Sequence, residues 1–348
     1  MAIRNPLIRL NQNGLQTIGD AHLGRVFKTN VALHRRGEYE KKQMNTFKEL
    51  LFAECPDEKP TGYLKVQVGD LFDKAVVSNQ VVLDTIKALQ EFEEKGQESI
   101  YIISGNHDDS KSITEPTSWD ILAKFFHGSD YVRFVKTWEV HTFPDQSQVL
   151  FVGWNIHQSV AQAYLEAEKE GYDPDVVVCH LDKISYGNDD NVIPYDFLKS
   201  KGVSVVISGH EHKPYHFTEG NMQVIGTGSL LPYSHAEDPE GKNYITFRNF
   251  DDVKDFIDEY PEGLKDMHVR VYIEDERMDE FLALDLDTVS LQVNKLEQLD
   301  VDEGVTEVVT ESYDAKTIWS QSVAETGLDK EQAELLWADI EAKGIENE

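Results

Sequence analysis

Five short apolar runs in this chain each stop at a glycine or a cysteine, and the next residue is one that can bind a metal. They are LQTIGDAH, with Asp20 and His22; LKVQVGDLFD, with Asp70 and Asp73; IYIISGNHDD, with Asn106, His107 and Asp108; VVVCHLD, with His180; and VSVVISGHEH, with His210 and His212. Runs this short and this rich in Val and Ile, bounded by glycine, read as strands covered on both faces, the pattern of parallel sheets. In such sheets ligands gather in the loops beyond the carboxyl ends of the strands. The chain is thereby restricted to folds that bring several strand ends to one place.

Between these runs, amphipathic stretches predict helices near 36–53, 78–95, 117–127, 159–170 and 194–201. Further strands are expected at VLFVGW, MQVIGTGS and NYITFRNF. Alternation of this kind predicts an α/β layered fold with a mixed sheet. It breaks at DDVKDFIDEYPEG, so a boundary is expected near 250–266. Residues 1–255 then form the large domain and 265–310 a small α+β cap domain, with HVRVYI and VSLQVNKL as strands around an acidic segment. Residues 311–348 form a helical tail, with helices near 313–324 and 328–343, the second capped at Asp329.

Asp and Asn oxygens combined with imidazoles suit hard or borderline ions such as manganese, iron or zinc, with magnesium also accommodated. Only Cys55 and Cys179 are present, and Cys179 lies inside VVVC, so a buried thiol is expected in place of a disulfide or a zinc–thiolate cluster. Glycine before Asp20, Asp70, Asn106 and His210 is expected to let the backbone turn sharply and to leave room for a phosphate. No stretch approaches the roughly 20 apolar residues of a membrane span, and the N-terminus has no signal-like apolar core. A cytoplasmic protein is expected.

The net charge of -31 argues against a nucleic-acid partner. Its distribution does not: residues 1–50 carry nine Lys and Arg against four Asp and Glu, whereas 251–348 sum to -21. The segment RVFKTNVALHRRGEYEKKQ concentrates Arg25, Lys28, Arg35, Arg36, Lys41 and Lys42 directly after the first motif, and Lys74 and Lys111 follow the second and third. Beside a metal centre such residues can track a phosphodiester backbone. A solvated helix face balanced by Glu38 and Glu40 is the alternative.

The order Asp-x-His, Gly-Asp, Gly-Asn-His-Asp, His, Gly-His-x-His resembles the calcineurin-like metallophosphoesterases. Within them DAHLG, GDLFD and GTGSLLPYSHAED are similar to the SbcD-type nucleases, including phage recombination subunits, over roughly residues 15–250. The resemblance implies an α/β/β/α sandwich. It implies one ion held by Asp20, His22, Asp70 and His212, and a second by Asp70, Asn106, His180 and His210, with Asp70 as the bridge and manganese as the metal. His107 would be the catalytic histidine, Asp108 would orient its ring, and Asp73 would position a phosphate or a neighbouring histidine.

The same resemblance implies a double-strand exonuclease and single-strand endonuclease, acting as a homodimer in a bacterial or phage-infected cell. An SbcC-type coiled-coil ATPase would dock on the C-terminal extension, where Ile318, Trp319, Val323, Leu336, Trp337 and Ile340 offer apolar groups. Two other readings stand beside it: a small-molecule phosphodiesterase and a non-catalytic scaffold of an ATPase complex.

Overall fold

Runs in which every residue is apolar need cover on both faces, and the fold supplies it. The computed structural model describes residues 6–10, 12–55, 60–96, 98–110, 116–185, 191–238 and 241–295. Lys111, the segment 296–310 and the tail 311–348 lie outside the described residues.

The first sheet contains β1 (Leu7–Leu10), β2 (Asn13–Ile18), β3 (Gly62–Gln67), β4 (Ser99–Ile103) and β5 (Val132–Val135), in that order. Only the β1–β2 pair is antiparallel. Helices α1 (Glu38–Phe52), α2 (Asn79–Lys95) and α3 (Ser118–Phe125) lie between its strands in the chain. The second sheet contains β6 (Trp138–Thr142), β7 (Gln148–Val152), β8 (Val176–Cys179), β9 (Val205–Ser208), β10 (Tyr215–Glu219) and β11 (Met222–Gly226), in the order β10-β11-β9-β8-β7-β6. There β11, β9, β8 and β7 run parallel, flanked by antiparallel β10 and β6. Helices α4 (Val160–Lys169) and α5 (Tyr195–Ser200) connect it.

The period-2 alternation of strand side chains sorts the core into layers. Leu64, Val66, Tyr101 and Ile103 of the first sheet meet Val149, Phe151, Val176, Val178 and Ile207 of the second. Ile100 and Ile102 turn the other way, toward Phe47, Leu51, Leu89, Phe92 and Leu122 of the first three helices. Leu150, Val152, Val177 and Val206 turn toward Val160, Ala163, Tyr164 and Leu198 of α4 and α5. The result is the expected α/β/β/α sandwich.

The third sheet is parallel throughout: β12 (Tyr244–Phe247), β13 (His268–Ile273) and β14 (Ser290–Lys295), packed with α6 (Phe250–Glu259) and α7 (Met278–Leu282). NYITFRNF therefore pairs with HVRVYI and not with the main sheets, and the segment expected to mark the boundary is helix α6. Tyr39, Leu231, Tyr233 and Val289 join this layer to the sandwich. Among the described residues no helix is long and apolar enough to cross a membrane.

Lys65 on β3 is completely buried. Its Nζ donates to the carbonyls of Leu50 and Ala53 at the C-terminal end of α1, where carbonyls otherwise lack partners, and lies 3.6 Å from Glu98. Burial pulls its pKa down against the raising influence of Glu98. Lys65→Met is expected to lower unfolding stability by about 2–4 kcal/mol in urea denaturation, since it strands two carbonyls and a carboxylate.

Candidate metal centre

Strands β2, β3 and β4 of one sheet and β8 and β9 of the other deliver their carboxyl ends to a common edge. The loops there are stitched together by backbone bonds: the amides of Ala21 and His22 both donate to Asp70 O, and Leu230 N donates to Asp20 O. His22, Asp70 and His210 adopt left-handed φ values of 44°, 50° and 75°. Such backbone is uncommon outside glycine and clusters at functional sites, where surrounding structure imposes it. Gly69, at φ 99°, makes the sharp turn expected of it, but the room at the site's glycines is not left for a phosphate. A Cβ at Gly105 would lie 2.2 Å from Asp70 N and Oδ1, and one at Gly69 2.3 Å from His180 Nδ1. The room is taken by the site's own atoms, so these glycines let the loops converge and do not admit a phosphate.

All seven expected ligands come together. Asp20, His22 and His212 place ligand atoms within 4.8 Å of one another, as do Asp70, His180 and His210. Asn106 Oδ1 joins the second group, 3.1 Å from His180 Nε2 and 2.9 Å from His210 Nδ1. Asp70 Oδ2 lies between the groups, 3.6 Å from His22 Nε2 and 3.3 Å from His180 Nε2. His22, Asp70 and His107 form a third set within the same reach.

The donor chemistry fits divalent cations. His180 Nδ1 donates to Val68 O, which leaves the Nε2 lone pair aimed at two oxygen acceptors, Asn106 Oδ1 and Asp70 Oδ2. His212 Nδ1 faces Glu237, so its Nε2 meets His22 Nε2 at 3.0 Å, nitrogen against nitrogen. Asp20 Oδ1 is buried with no hydrogen-bond partner. Converging lone pairs of this kind require positive charge between them. In the bare chain that charge falls to protons. Burial alone would lower His180, but Asp70 reverses this and pushes it up to about 10. Burial raises Asp20 to about 7. Burial would also raise Asp70, yet His180 and His22 hold it well below the usual carboxylate range.

His107 is exposed at the rim. Its Nδ1 donates to the Asp73 carbonyl at 2.6 Å and its ring lies edge-on to His22 at 4.8 Å. That bond commits Nδ1 and leaves Nε2 as the nitrogen able to exchange a proton. Asp108, expected to orient this ring, does something else: buried, it accepts from the amides of Gly105, Leu71 and Phe72 and so ties the second and third loops together. The Asp73 carboxylate lies 3.6 Å from both His22 Nδ1 and Arg25 Nη1.

Two carboxylates escaped the sequence reading. Asp182 Oδ1 is 3.2 Å from His210 Nε2, and Glu237 Oε2 is 3.3 Å from His212 Nδ1. Each orients an imidazole from behind, as supporting carboxylates do at metal sites. Their only signals were the Asp two residues beyond His180 and the Glu in SHAED. Asp182→Ala and Glu237→Ala are each expected to weaken manganese binding about 10–100-fold in titration calorimetry. Tyr233 was missed as well; its ring packs on His22 and His212 while its hydroxyl donates to Ala21 O.

The basic residues divide. Arg25 lies over the Tyr233 ring at 4.6 Å, next to the centre. Lys28, Arg36 and Lys74 are exposed. Arg35 is buried: its guanidinium bonds Glu38, Asp287 and Lys265 O, so it fastens α1 to the segment before β14 and is not available to a phosphate.

Solved structures similar to this chain include GAP50, the anchor in the inner membrane complex of Plasmodium, at 17% identity and a TM-score of 0.36, covering 62% of this chain and 71% of that one. TT1561 of Thermus thermophilus matches at 16% and 0.38, covering 55% and 85%. The phosphopantetheinyl hydrolase of Mycobacterium tuberculosis matches at 12% and 0.37, covering 66% and 93%. The assignment rests on a different match, that of the calcineurin-like phosphoesterase family to residues 17–214, more than half of the chain and all five loops. With both ligand groups inside that span, the chain belongs to the calcineurin-like phosphoesterases, a family of metal-dependent phosphoester hydrolases.

Proposed function

We propose that this chain is a DNA phosphodiesterase, cutting from double-stranded ends and nicking single strands, as the catalytic subunit of an SbcCD-like repair or recombination complex. The observation that carries the reading is the arrangement of the motifs DAHLG, GDLFD, GNHDD, HLD and GHEH as two ligand groups that share Asp70, with His107 at their rim. Asp20, His22, Asp70 and His212 would hold one divalent ion and Asp70, Asn106, His180 and His210 the other, manganese being the proposed metal. When bound, such a pair supplies Lewis acidity toward phosphate oxygens and a nucleophilic water at neutral pH.

The remaining roles belong to side chains. With Nδ1 committed to Asp73 O, His107 in its imidazolium form gives its Nε2 proton to the departing oxygen and is left as the neutral tautomer protonated at Nδ1. Asp73 steadies His22 and Arg25. Asp182, Glu237 and Tyr233 keep the ligand imidazoles from turning. The net charge of -31 favours a second reading, hydrolysis of small phosphodiesters. In the first reading an SbcC-type ATPase, docked on residues 311–348 of a homodimer, supplies most of the DNA affinity.

The test is cleavage of end-labelled duplex and single-stranded DNA, and of bis(p-nitrophenyl) phosphate, with manganese, magnesium or EDTA. Each is run with and without an SbcC-type ATPase and ATP. Metal-dependent DNA cleavage abolished by EDTA is expected. Fast hydrolysis of the aryl ester with DNA intact under every condition would replace the nuclease reading with the small-substrate one.

A further inference from the structure

Beside the metal centre, with Tyr233 as a shared wall, lies a cleft of about 270 Å³. Its sides come from the segment 25–31 after the first motif, from residues 233–235 after the last, and from the third sheet. Arg25, Lys28 and Arg270 line it and no aspartate or glutamate does. That is unexpected in a chain with 64 acidic residues against 33 basic ones. Concave walls of one sign focus the potential and raise the local concentration of an oppositely charged ligand.

The groups in the cleft are held ready for an anion. Arg270 Nε donates to the neutral Gln292 Oε1 at 3.1 Å, its only side-chain hydrogen bond among the described residues. Its terminal nitrogens retain the fork that matches a phosphate. His268, 3% exposed, has Nδ1 2.7 Å from Ser290 Oγ; where that hydroxyl donates to Nδ1, the proton sits on the buried Nε2, which has no partner. Phe27 and Tyr244 also line the cleft. Arg25 reaches from this cleft to Asp73 at 3.6 Å, and Asp73 is the same distance from His22. One layer of side chains therefore separates the cleft from the ligand groups.

We propose that this cleft is a subsite for a neighbouring phosphate of the strand whose scissile phosphate lies at the metal centre, with Arg25 and Arg270 as its clamp. The subsite rests on the nucleic-acid reading above and extends it, because it makes the enzyme select substrates that carry more than one phosphate. It also gives an acidic chain a defined place to grip a polyanion.

The experiment compares two chromogenic substrates under manganese, the p-nitrophenyl diester of thymidine monophosphate and that of a thymidine trinucleotide, with the reporter at either end. The parent is expected to favour the trinucleotide in kcat/KM by at least about tenfold, the scale of one charge-assisted hydrogen bond. Arg270→Gln is expected to shrink that preference toward unity through KM, Arg270→Lys to keep part of it, and Lys28→Gln, at an exposed position, to reduce it independently. Binding of a short oligothymidylate to the His107→Ala protein, followed by anisotropy against sodium chloride, should lose about 0.7 from the salt slope with Arg270→Gln. A parent without the preference, or a preference undiminished in Arg270→Gln and Lys28→Gln, overturns the subsite and leaves the nuclease reading standing. Failure to cleave either diester, with DNA also left intact with and without the ATPase, removes that reading, and the subsite with it.

Discussion

His107→Ala is expected to lower kcat for phosphodiester hydrolysis by about 10²–10⁴-fold, the range of a lost general acid, with folding unchanged. The side chain is exposed and its one hydrogen bond among the described residues is to the Asp73 carbonyl, so little packing disappears with it. Its backbone amide, which donates to Asp70 Oδ1, survives the substitution. A loss in kcat with manganese affinity retained assigns His107 to proton transfer. Since His107 also stands within ligand reach of His22 and Asp70, a parallel loss of manganese affinity would assign it to holding the metal. The two outcomes separate in a calorimetric titration run beside the kinetics.

Asp70→Asn is expected to do more, taking activity below that of His107→Ala and reducing the number of manganese ions bound. Among the described residues the Asp70 carboxylate stands against an imidazole of each ligand group, His22 and His180, and an amide replaces its charge with a neutral oxygen and two donors. Asparagine is the informative replacement because position 70 has φ 50°, a region that asparagine enters more readily than most residues. The fold is therefore kept while the shared charge is lost. Full activity and two bound ions in Asp70→Asn would contradict the shared-carboxylate account.

Much of the centre was readable because its information is local. Each ligand follows an apolar run that can only be a covered strand, and the strand's end fixes the ligand's place. What escaped was tertiary. Nothing near His210 points to Asp182, 28 residues earlier, and nothing in GNHDD says that Asp108 bonds the Leu71 and Phe72 amides in place of His107. The composition of the segment 25–42 marked Arg35 as a phosphate contact, but Asp287, some 250 residues away, decides where that guanidinium goes.

Edge strands were the other gap. β6 and β10 have mostly half-buried residues, WEVHT and YHFTE, and lack the continuous apolar signal of the strands they flank. For β12 the strand was visible and its partner was not. A four-residue run such as YITF carries no mark of which sheet it joins, and the pairing with β13 depends on how α6 turns the chain back. The cationic cleft was invisible for the same reason, since Arg25 and Arg270 meet only when the third sheet packs against the first loop.

Two ions are expected, one on either side of Asp70. The most direct test is anomalous diffraction at the manganese edge from crystals equilibrated with manganese. Two peaks are expected, one among Asp20, His22, Asp70 and His212 and the other among Asp70, Asn106, His180 and His210. A single peak at saturating manganese, or peaks away from Asp70, would contradict that expectation.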